Sequence, residues 1–198
     1  MADQEDIARL VKTFLGSEYL TIMIETVLIK ENLREDLTSV KGEVIVHGES
    51  LMLDCRGNGV IDAFFDGLRE SLSGKYYSFQ DIYFDDFSIQ VDPLTRRTKQ
   101  GTDVSVEVGL LVGSYSNHAI YHFVSSARSF NTAALRSVIA AIEYYLNCEI
   151  AVLKLRDLIE DARKRMRMDL ETKYTRLLAE IVKSASYNKT MKEWQQKN

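Results

Sequence analysis

Hydrophobic and polar positions alternate in short runs in the first part of the chain. Residues 3–15 place their apolar side chains at helical spacing. Residues 19–30 are rich in β-branched residues, which favours a strand, although their number also suits a helix. In residues 41–56, apolar and polar residues alternate on both sides of Gly48-Glu49. That pattern predicts a hairpin that turns at these two residues.

The apolar period then changes to a helical one, and the whole sequence of patterns starts again. Residues 59–73 carry apolar residues at helical spacing, and Gly74 suits the end of this helix. Alternation typical of strands returns in three segments, and a second helix follows: strands over 84–91, 102–112 and 119–125, helix over 131–147. Asn131 or Thr132 is the predicted N-cap of the second helix.

The predicted order is therefore three strands and a helix, twice over, if residues 19–30 form a strand. A helix laid on one face of an antiparallel sheet gives an α+β layer. We predict an α+β fold in which two βββα units pack as antiparallel sheet with helices on one face. The predicted segments are an N-terminal helix over 1–17, the double βββα domain over 18–149 and a C-terminal helical extension over 150–198.

The C-terminal extension has its own pattern, with neither glycine nor proline after Gly113. Residues 150–186 predict one long helix or two. Their apolar positions drift from a strict heptad, so we expect a packed amphipathic helix rather than a coiled coil. The apolar stripe suits a contact in a dimer, and its members are Leu155, Ile159, Ala162, Met166, Leu170, Tyr174, Leu177, Ile181 and Ala185.

Composition and charge narrow the class of protein. The 198 residues are 45% hydrophobic and 27% charged, which is ordinary for a globular protein. A formal net charge of −4 argues against a nucleic-acid-binding surface. The acidic N-terminus does not resemble a signal peptide, and no apolar run reaches the length of a membrane span. Two cysteines predict no disulfide framework, so we expect a cytoplasmic protein.

Residues 57–63 read Gly-Asn-Gly-Val-Ile-Asp-Ala, between the predicted hairpin and helix. They resemble the Gly-x-Gly-Pro-Val-Asp-Ala signature of the C-terminal regulatory (allosteric, dimerisation) domain of α-isopropylmalate and citramalate synthases. Asp86-Phe87 resembles the Asp-Tyr that opens the family's next strand, and residues 101–104 resemble its Gly-Thr-Asp-Ala. Residues 140–147 resemble the end of the family's closing helix. The four pieces keep the family's order.

The sequence also departs from the family pattern. Val60 stands in place of the signature proline, and residues 92–100 look like an insertion. Residues 125–130 lack the family's second glycine-rich run. The resemblance covers about residues 19–148, and the sequence from Ile150 onward has no counterpart in it.

The resemblance implies a free-standing regulatory domain without the catalytic barrel, and therefore no enzyme activity, no cofactor and no metal. In that family the domain binds the end-product amino acid of leucine or isoleucine biosynthesis near a dimer interface. A small metabolite such as a branched-chain amino acid, a second copy of the chain and a separate synthase barrel are the implied partners. The implied ligand-binding residues are Gly57, Asn58, Gly59, Asp62, Ala63, Gly101 and Asp103.

The residues themselves allow both a ligand site and a simpler explanation. Glycines let a ligand approach the backbone closely, and a helix N-terminus suits a carboxylate. An ammonium group could meet Asp62, Asp86 or Asp103. Alternatively, Gly57 and Gly59 serve only the turn between strand and helix, and Asp62 only stabilises the first helical turn. A second function also stays open, namely a structural or adaptor protein that keeps the fold without a ligand and interacts through its C-terminal helix.

Other candidate chemistry is weaker. His118 and His122 would start about 13 Å apart on a strand, too far for one metal ion. Asp85 and Asp86 are neighbours on a predicted strand, so we expect them to point to opposite faces. The basic run over 163–167 is flanked by acidic residues and predicts a solvated helix face with ion pairs, rather than a nucleic-acid contact.

Overall fold

The computed structural model describes residues 4–92, 94, 104–116 and 118–182. Its five helices are α1 (Gln4–Leu15), α2 (Val60–Leu72), α3 (Ser78–Asp81), α4 (Phe130–Lys164) and α5 (Met168–Ile181). Its six strands are β1 (Ile22–Asn32), β2 (Leu37–Val46), β3 (Glu49–Gly57), β4 (Ile82–Asp92), β5 (Ser105–Ser114) and β6 (Ile120–Ala127). Within the described residues, no helix is both long and apolar enough to cross a membrane.

Each βββα unit has its own antiparallel sheet, with the strand orders β1-β2-β3 and β4-β5-β6. Helix α2 packs on β3 and β2, while α4 packs on β6 and β5. The α+β fold of two βββα units is therefore confirmed. The ambiguous segment over 19–30 contains strand β1, which pairs with β2 from Ile22 opposite Val46 to Asn32 opposite Leu37.

The first hairpin turns one residue earlier than its pattern predicts. Strand β2 ends at Val46 and β3 begins at Glu49, so His47 and Gly48 form the turn. Both residues have positive φ, 50° and 85°. Two successive residues of positive φ match the right-handed twist of the strands in a hairpin, and glycine adopts that conformation at no cost.

The two units repeat each other in detail. Strands β1 and β4 both have 11 residues. In both, the register shifts near the start, between Ile24 and Thr26 in β1 and between Phe84 and Asp86 in β4. Two residues separate each hairpin from its helix, and the second of them, Gly59 or Ser129, is the N-cap. The repeat is therefore structural, down to an irregularity at the same place.

Helix α3 is too short for the sequence pattern to predict it. It links the two units, because it lies between α2 and β4. Glu149 of α4 accepts hydrogen bonds from the backbone N–H of Tyr77 at 2.9 Å and of Ser78 at 2.8 Å. Burial raises the pKa of Glu149, and the hydrogen bonds from Ser78 and Tyr77 oppose that rise. A buried carboxylate thus holds the link between the units.

Helix α4 is one helix of 35 residues. The prediction that a helix ends at residue 147 and another begins at 150 is wrong, because nothing between them interrupts the helical hydrogen bonding. The predicted N-caps Asn131 and Thr132 are also wrong. The cap is Ser129, whose side chain accepts a hydrogen bond from the backbone N–H of Thr132 at 3.4 Å.

The side chain of Asn147 ties the start of the first sheet to α4. It accepts a hydrogen bond from the N–H of Leu20 at 2.7 Å and donates one to the carbonyl of Leu20 at 2.9 Å. Both groups are buried. Because the amide satisfies both backbone groups of Leu20, the chain can pass through the core at this point.

The C-terminal apolar stripe is used inside the chain. Helix α5 follows a turn at Met166, whose φ is 56°, and packs on α4 and α1. Leu155 and Ile181 are fully buried, and so are Ile7 and Val11 of α1. Among its described members, the stripe that suits a dimer contact therefore covers the protein's own core, and Met166 alone is strongly exposed, at 89%. Ala185, the last member of the stripe, lies outside the described residues.

The basic run at the end of α4 is paired as its pattern predicts. Lys164 contacts Glu160 at 2.7 Å and Arg165 contacts Asp161 at 2.9 Å, both one helical turn apart. Arg163 contacts Glu171 of α5 at 2.6 Å. These exposed pairs confirm a solvated helix face and leave this region without a cationic surface.

Candidate functional site

A cleft of about 520 Å³ opens where the first turn of α2 faces strand β4 and the start of α4. We call it the signature cleft. Its lining residues are Glu31, Gly59, Val60, Ile61, Asp62, Phe84, Asp85, Asp86, Phe87, Leu110 and Phe130. Both units contribute to it, so the cleft exists only because the two units pack together.

Gly57 and Ala63 have a packing role beneath this cleft. A Cβ atom on Gly57 would lie 2.7 Å from the backbone nitrogen and 2.9 Å from the Cα of Ala63. Ala63 is itself fully buried. The two small residues therefore let the end of β3 and the start of α2 approach closely. This contact explains Gly57 without any ligand.

Gly59 is different, because the protein's own chain does not require a glycine there. Its φ of −160° and ψ of 172° are extended backbone that any residue adopts. A Cβ atom at Gly59 would meet nothing within 4 Å. Gly59 is the N-cap of α2 and supplies no side-chain cap. Gly59 lines the signature cleft, and no contact within 4 Å accounts for its lack of a side chain.

The first turn of α2 gives the cleft an anion-binding end. The first intrahelical bond runs from the N–H of Ala63 to the carbonyl of Gly59, at 2.9 Å. The N–H groups that precede Ala63 therefore have no partner within the helix, and they carry the positive end of its dipole. In an amino acid, the group that suits such a helix N-terminus is the carboxylate.

The rest of the polar lining is acidic. Among the described residues, four carboxylates line the signature cleft, those of Glu31, Asp62, Asp85 and Asp86, and no Lys, Arg or His does. Such a surface attracts an ammonium group. The apolar part of the lining, from Val60 to Phe130, can receive an alkyl side chain. The cleft therefore offers three kinds of contact, which together suit an apolar amino acid.

The expectation that Asp85 and Asp86 point to opposite faces is wrong, because both line the signature cleft. The physical reason is the register shift between Phe84 and Asp86, which inserts an extra residue into β4. The sequence carries a signal of this bulge. Apolar residues occupy even positions up to Phe84 and odd positions from Phe87 onward.

The other predicted site residues are not brought into the cleft by the described structure. Asn58 is exposed and is not among the lining residues. Gly101 and Asp103 lie outside the described residues. Sequence reasoning missed Glu31 and Phe130, which reach the cleft from the end of β1 and the start of α4. No local pattern marks them, because packing between elements far apart in the chain brings them there.

The described residues offer little other chemistry. No group of three or more His, Cys, Asp or Glu side chains in them is placed to hold a metal ion. Cys55 and Cys148 are both free and buried. Burial raises the pKa of both thiols, that of Cys148 to about 12, which keeps them protonated at neutral pH.

Comparison with known proteins agrees with this geometry. The family model of the LeuA allosteric (dimerisation) domain matches residues 2–146. The match includes α1 and both sheets and ends inside α4, before Asn147 and Glu149. No curated protein matches the chain.

Proposed function

The chain belongs to the LeuA allosteric (dimerisation) domain family, and from that premise we propose that it senses a branched-chain amino acid in the signature cleft. The family supports a regulatory role. The proposed ligand places its carboxylate at the first turn of α2, its ammonium group among the acidic side chains and its alkyl chain on the apolar wall. The proposed module has no catalytic activity of its own.

One observation carries the proposal. Gly59, Asp62 and Asp86 come from two separate segments of the family resemblance, and they line the same cleft. In addition, no packing contact within the protein explains why residue 59 is a glycine. A volume of about 520 Å³ lies within the range of small-molecule sites.

Calorimetric and thermal-shift titrations with leucine, isoleucine and valine test the proposal. A ligand present at 100 times its Kd stabilises the folded state by about 2.7 kcal/mol, which gives a clear rise in Tm. We expect at least one of the three amino acids to produce this rise. Asp86→Asn should weaken its binding, because the acidic lining loses a charge. Absence of any shift with all three amino acids would reject the proposal.

A matched pair of glycine variants tests the position of the ligand. Gly59→Val should abolish binding while the protein stays folded, because the added side chain enters the cleft rather than the core. Gly74→Val is the control at the other end of α2, since a Cβ atom there also meets nothing within 4 Å. Binding that survives Gly59→Val would place the ligand elsewhere.

We propose that a second copy of the chain covers the apolar part of β4. Phe87, Ile89 and Val91 are 55%, 49% and 53% exposed. They are paired with Leu110, Val108 and Val106 of β5, so they continue the core-facing side of the sheet beyond its helix. Because Phe87 also lines the signature cleft, the proposed interface adjoins the proposed ligand.

Sedimentation analysis of Ile89→Glu tests this interface. We expect the variant to be a monomer at concentrations where the unchanged protein is a dimer, because a charge would be buried between copies. Ile120→Glu is the control, since Ile120 of β6 is equally exposed, at 48%, beside Gly113 on the other side of its sheet. A dimer that survives Ile89→Glu would exclude this surface.

A separate synthase barrel is the proposed regulated enzyme, and the cytoplasm is the proposed location. The free, buried thiols of Cys55 and Cys148 suit a reducing compartment. Mixing the protein with a barrel that lacks a regulatory domain should make the barrel's activity depend on the bound amino acid.

A further inference from the structure

A second cleft, of about 350 Å³, lies between strand β1 and the first half of α4. We call it the β1–α4 cleft. Its lining residues are Ile22, Met23, Ile24, Val27, Thr132, Leu135, Arg136 and Ile139. Among the described residues that line it, Arg136 alone is charged, and the others are apolar apart from Thr132.

The internal repeat gives this cleft a counterpart with opposite charge. The equivalent groove lies between β4 and α2 and includes Ile82, Phe84, Asp62, Asp66 and Arg69 among its lining residues. There Asp66 and Arg69 pair at 2.8 Å. In the β1–α4 cleft the corresponding residues on α4 are Arg136 and Ile139. The carboxylate partner is therefore missing from the second cleft.

Arg136 is available to an anion. Among the described residues it makes no hydrogen bond or ion pair, and its side chain is exposed at the cleft. Helix α4 has no acidic residue in its first turn, whereas α1, α2 and α5 each have at least one. The first turn of α4, which includes the lining residue Thr132, therefore brings no negative charge to the cleft.

The floor and walls of the β1–α4 cleft are preformed and apolar. Ile22, Leu135 and Ile139 are buried core residues. The N–H of Ile22 donates to Glu143 at 2.6 Å, which fixes the start of β1 on α4. Glu143 is two helical turns beyond Arg136, about 10 Å along the axis, and it is not among the described lining residues of the cleft.

We propose that the β1–α4 cleft binds a short apolar monocarboxylate. The carboxylate pairs with the guanidinium of Arg136 and accepts a hydrogen bond from the hydroxyl of Thr132. The alkyl chain lies against Ile22, Leu135 and Ile139. An amino acid fits less well, because none of the lining residues that the structure describes is acidic and could meet an ammonium group. The inference does not depend on the signature cleft being a ligand site.

The test uses 4-methylpentanoate as the probe, followed by calorimetry and by NMR of protein labelled at the isoleucine methyl groups. We expect saturable binding with shifts at Ile22, Ile24 and Ile139, and no shift at Ile61 of the signature cleft. The neutral amide of the same acid should bind at least tenfold more weakly, because it cannot form the ion pair. Equal binding of acid and amide, or no binding at millimolar concentration, would overturn the proposal.

Arg136→Gln should weaken binding of 4-methylpentanoate by roughly 10- to 100-fold, which is the range for losing a charged hydrogen bond. Arg69→Gln is the matched control in the equivalent groove and should leave binding unchanged. Unaltered binding by Arg136→Gln, or methyl shifts confined to Ile61, would show that the acid binds elsewhere. These outcomes leave amino-acid binding untouched, since that is read from Ile61 and from the Asp86→Asn variant.

Discussion

Helices α2 and α4 close the two βββα units in the same way but begin with different chemistry. Ala63 and Ala133, at the same position of each helix, are both fully buried against their own units. At the N-cap, however, Ser129 closes its helix with its own side chain, whereas Gly59 supplies none. Asp62 in α2 corresponds to Thr132 in α4. The buried positions that hold the fold are thus repeated, while the solvent-facing positions around each helix start have diverged.

The two helices also end differently. Helix α2 stops at Leu72, whereas α4 continues to Lys164 and forms a layer with α1 and α5. The two units therefore differ in the part of the protein that their helices build. The α2 unit leaves its helix start open to a cleft, and the α4 unit extends the common core.

The largest expected effect tests the extension of α4. Leu155→Ala should lower the free energy of unfolding by about 2–5 kcal/mol, because it removes a fully buried side chain between α4 and its neighbours. Urea denaturation measures this loss. Met166→Ala, at an exposed position, should change it by less than about 0.5 kcal/mol. Equal effects of the two variants would mean that the extension is not part of the core.

The next largest expected effect compares the packing of the residues that precede α2 and α4. Gly57→Ala should lower the free energy of unfolding by about 1–3 kcal/mol, because the new Cβ would overlap the backbone of Ala63. The equivalent residue in the second unit is Ala127, which already carries a Cβ. Ala127→Gly should cost about 0.5–1 kcal/mol through backbone entropy alone. A harmless Gly57→Ala would remove the packing explanation for this glycine.

The helix caps give a smaller difference. Ser129→Ala should lower the free energy of unfolding by about 1 kcal/mol, since the hydrogen bond to the N–H of Thr132 is lost. Gly59→Ala should change it by only a few tenths of a kcal/mol, because Gly59 supplies no side-chain cap. Thermal or urea denaturation of the two variants compares them directly. Equal losses would contradict the assignment of different caps.

The smallest expected effect is a change in the pH dependence of stability. Burial raises the pKa of Glu149 in the folded state above its ordinary value of 4.5. The folded state therefore holds this proton more tightly than the unfolded state does. Its contribution to stability is present below pH 4.5 and is lost as the pH rises through the raised pKa. Burial gives Glu143 a shift in the same direction.

Glu149→Gln cannot titrate, so the decline of its Tm with rising pH should be shallower over the acidic range. Glu160→Gln is the control on the same helix, because the pKa of the exposed Glu160 is lowered by its hydrogen bond with Lys164. That control should keep the full decline. A Glu149→Gln profile parallel to that of the unchanged protein would show that Glu149 has no raised pKa.

Much of the fold could be predicted because alternation and helical spacing record burial directly. Residues 102–112 alternate so clearly that they predict strand β5, which the structure has at Ser105–Ser114, and α2 follows from its apolar spacing. Helix α3 could not be predicted, since four residues are too few to show a period. The helix predicted over 131–147 continues without a break in α4, because no helix-breaking residue lies between Asn147 and Ile150.

The candidate cleft could be predicted only in part. Gly59, Asp62 and Asp86 lie in motifs that the sequence displays, and all three line it. Glu31 and Phe130 have no local signal, because the packing of one unit on the other decides their position. The regular period of a strand predicts Asp85 on the face opposite Asp86, and that period fails at the bulge between Phe84 and Asp86.

The hydrogen bonds of Asn147 and Glu149 show that the family match and the part of the chain that folds together end at different residues. The family match ends at residue 146, immediately before both side chains. Yet Asn147 satisfies Leu20 at the entrance to the first sheet, and Glu149 satisfies Tyr77 and Ser78 between the two units. A fragment cut to the matched residues would leave these buried backbone groups unsatisfied. The stretch that matches the family is therefore shorter than the stretch that must fold together, and any graft of this domain onto another protein has to extend at least through Glu149.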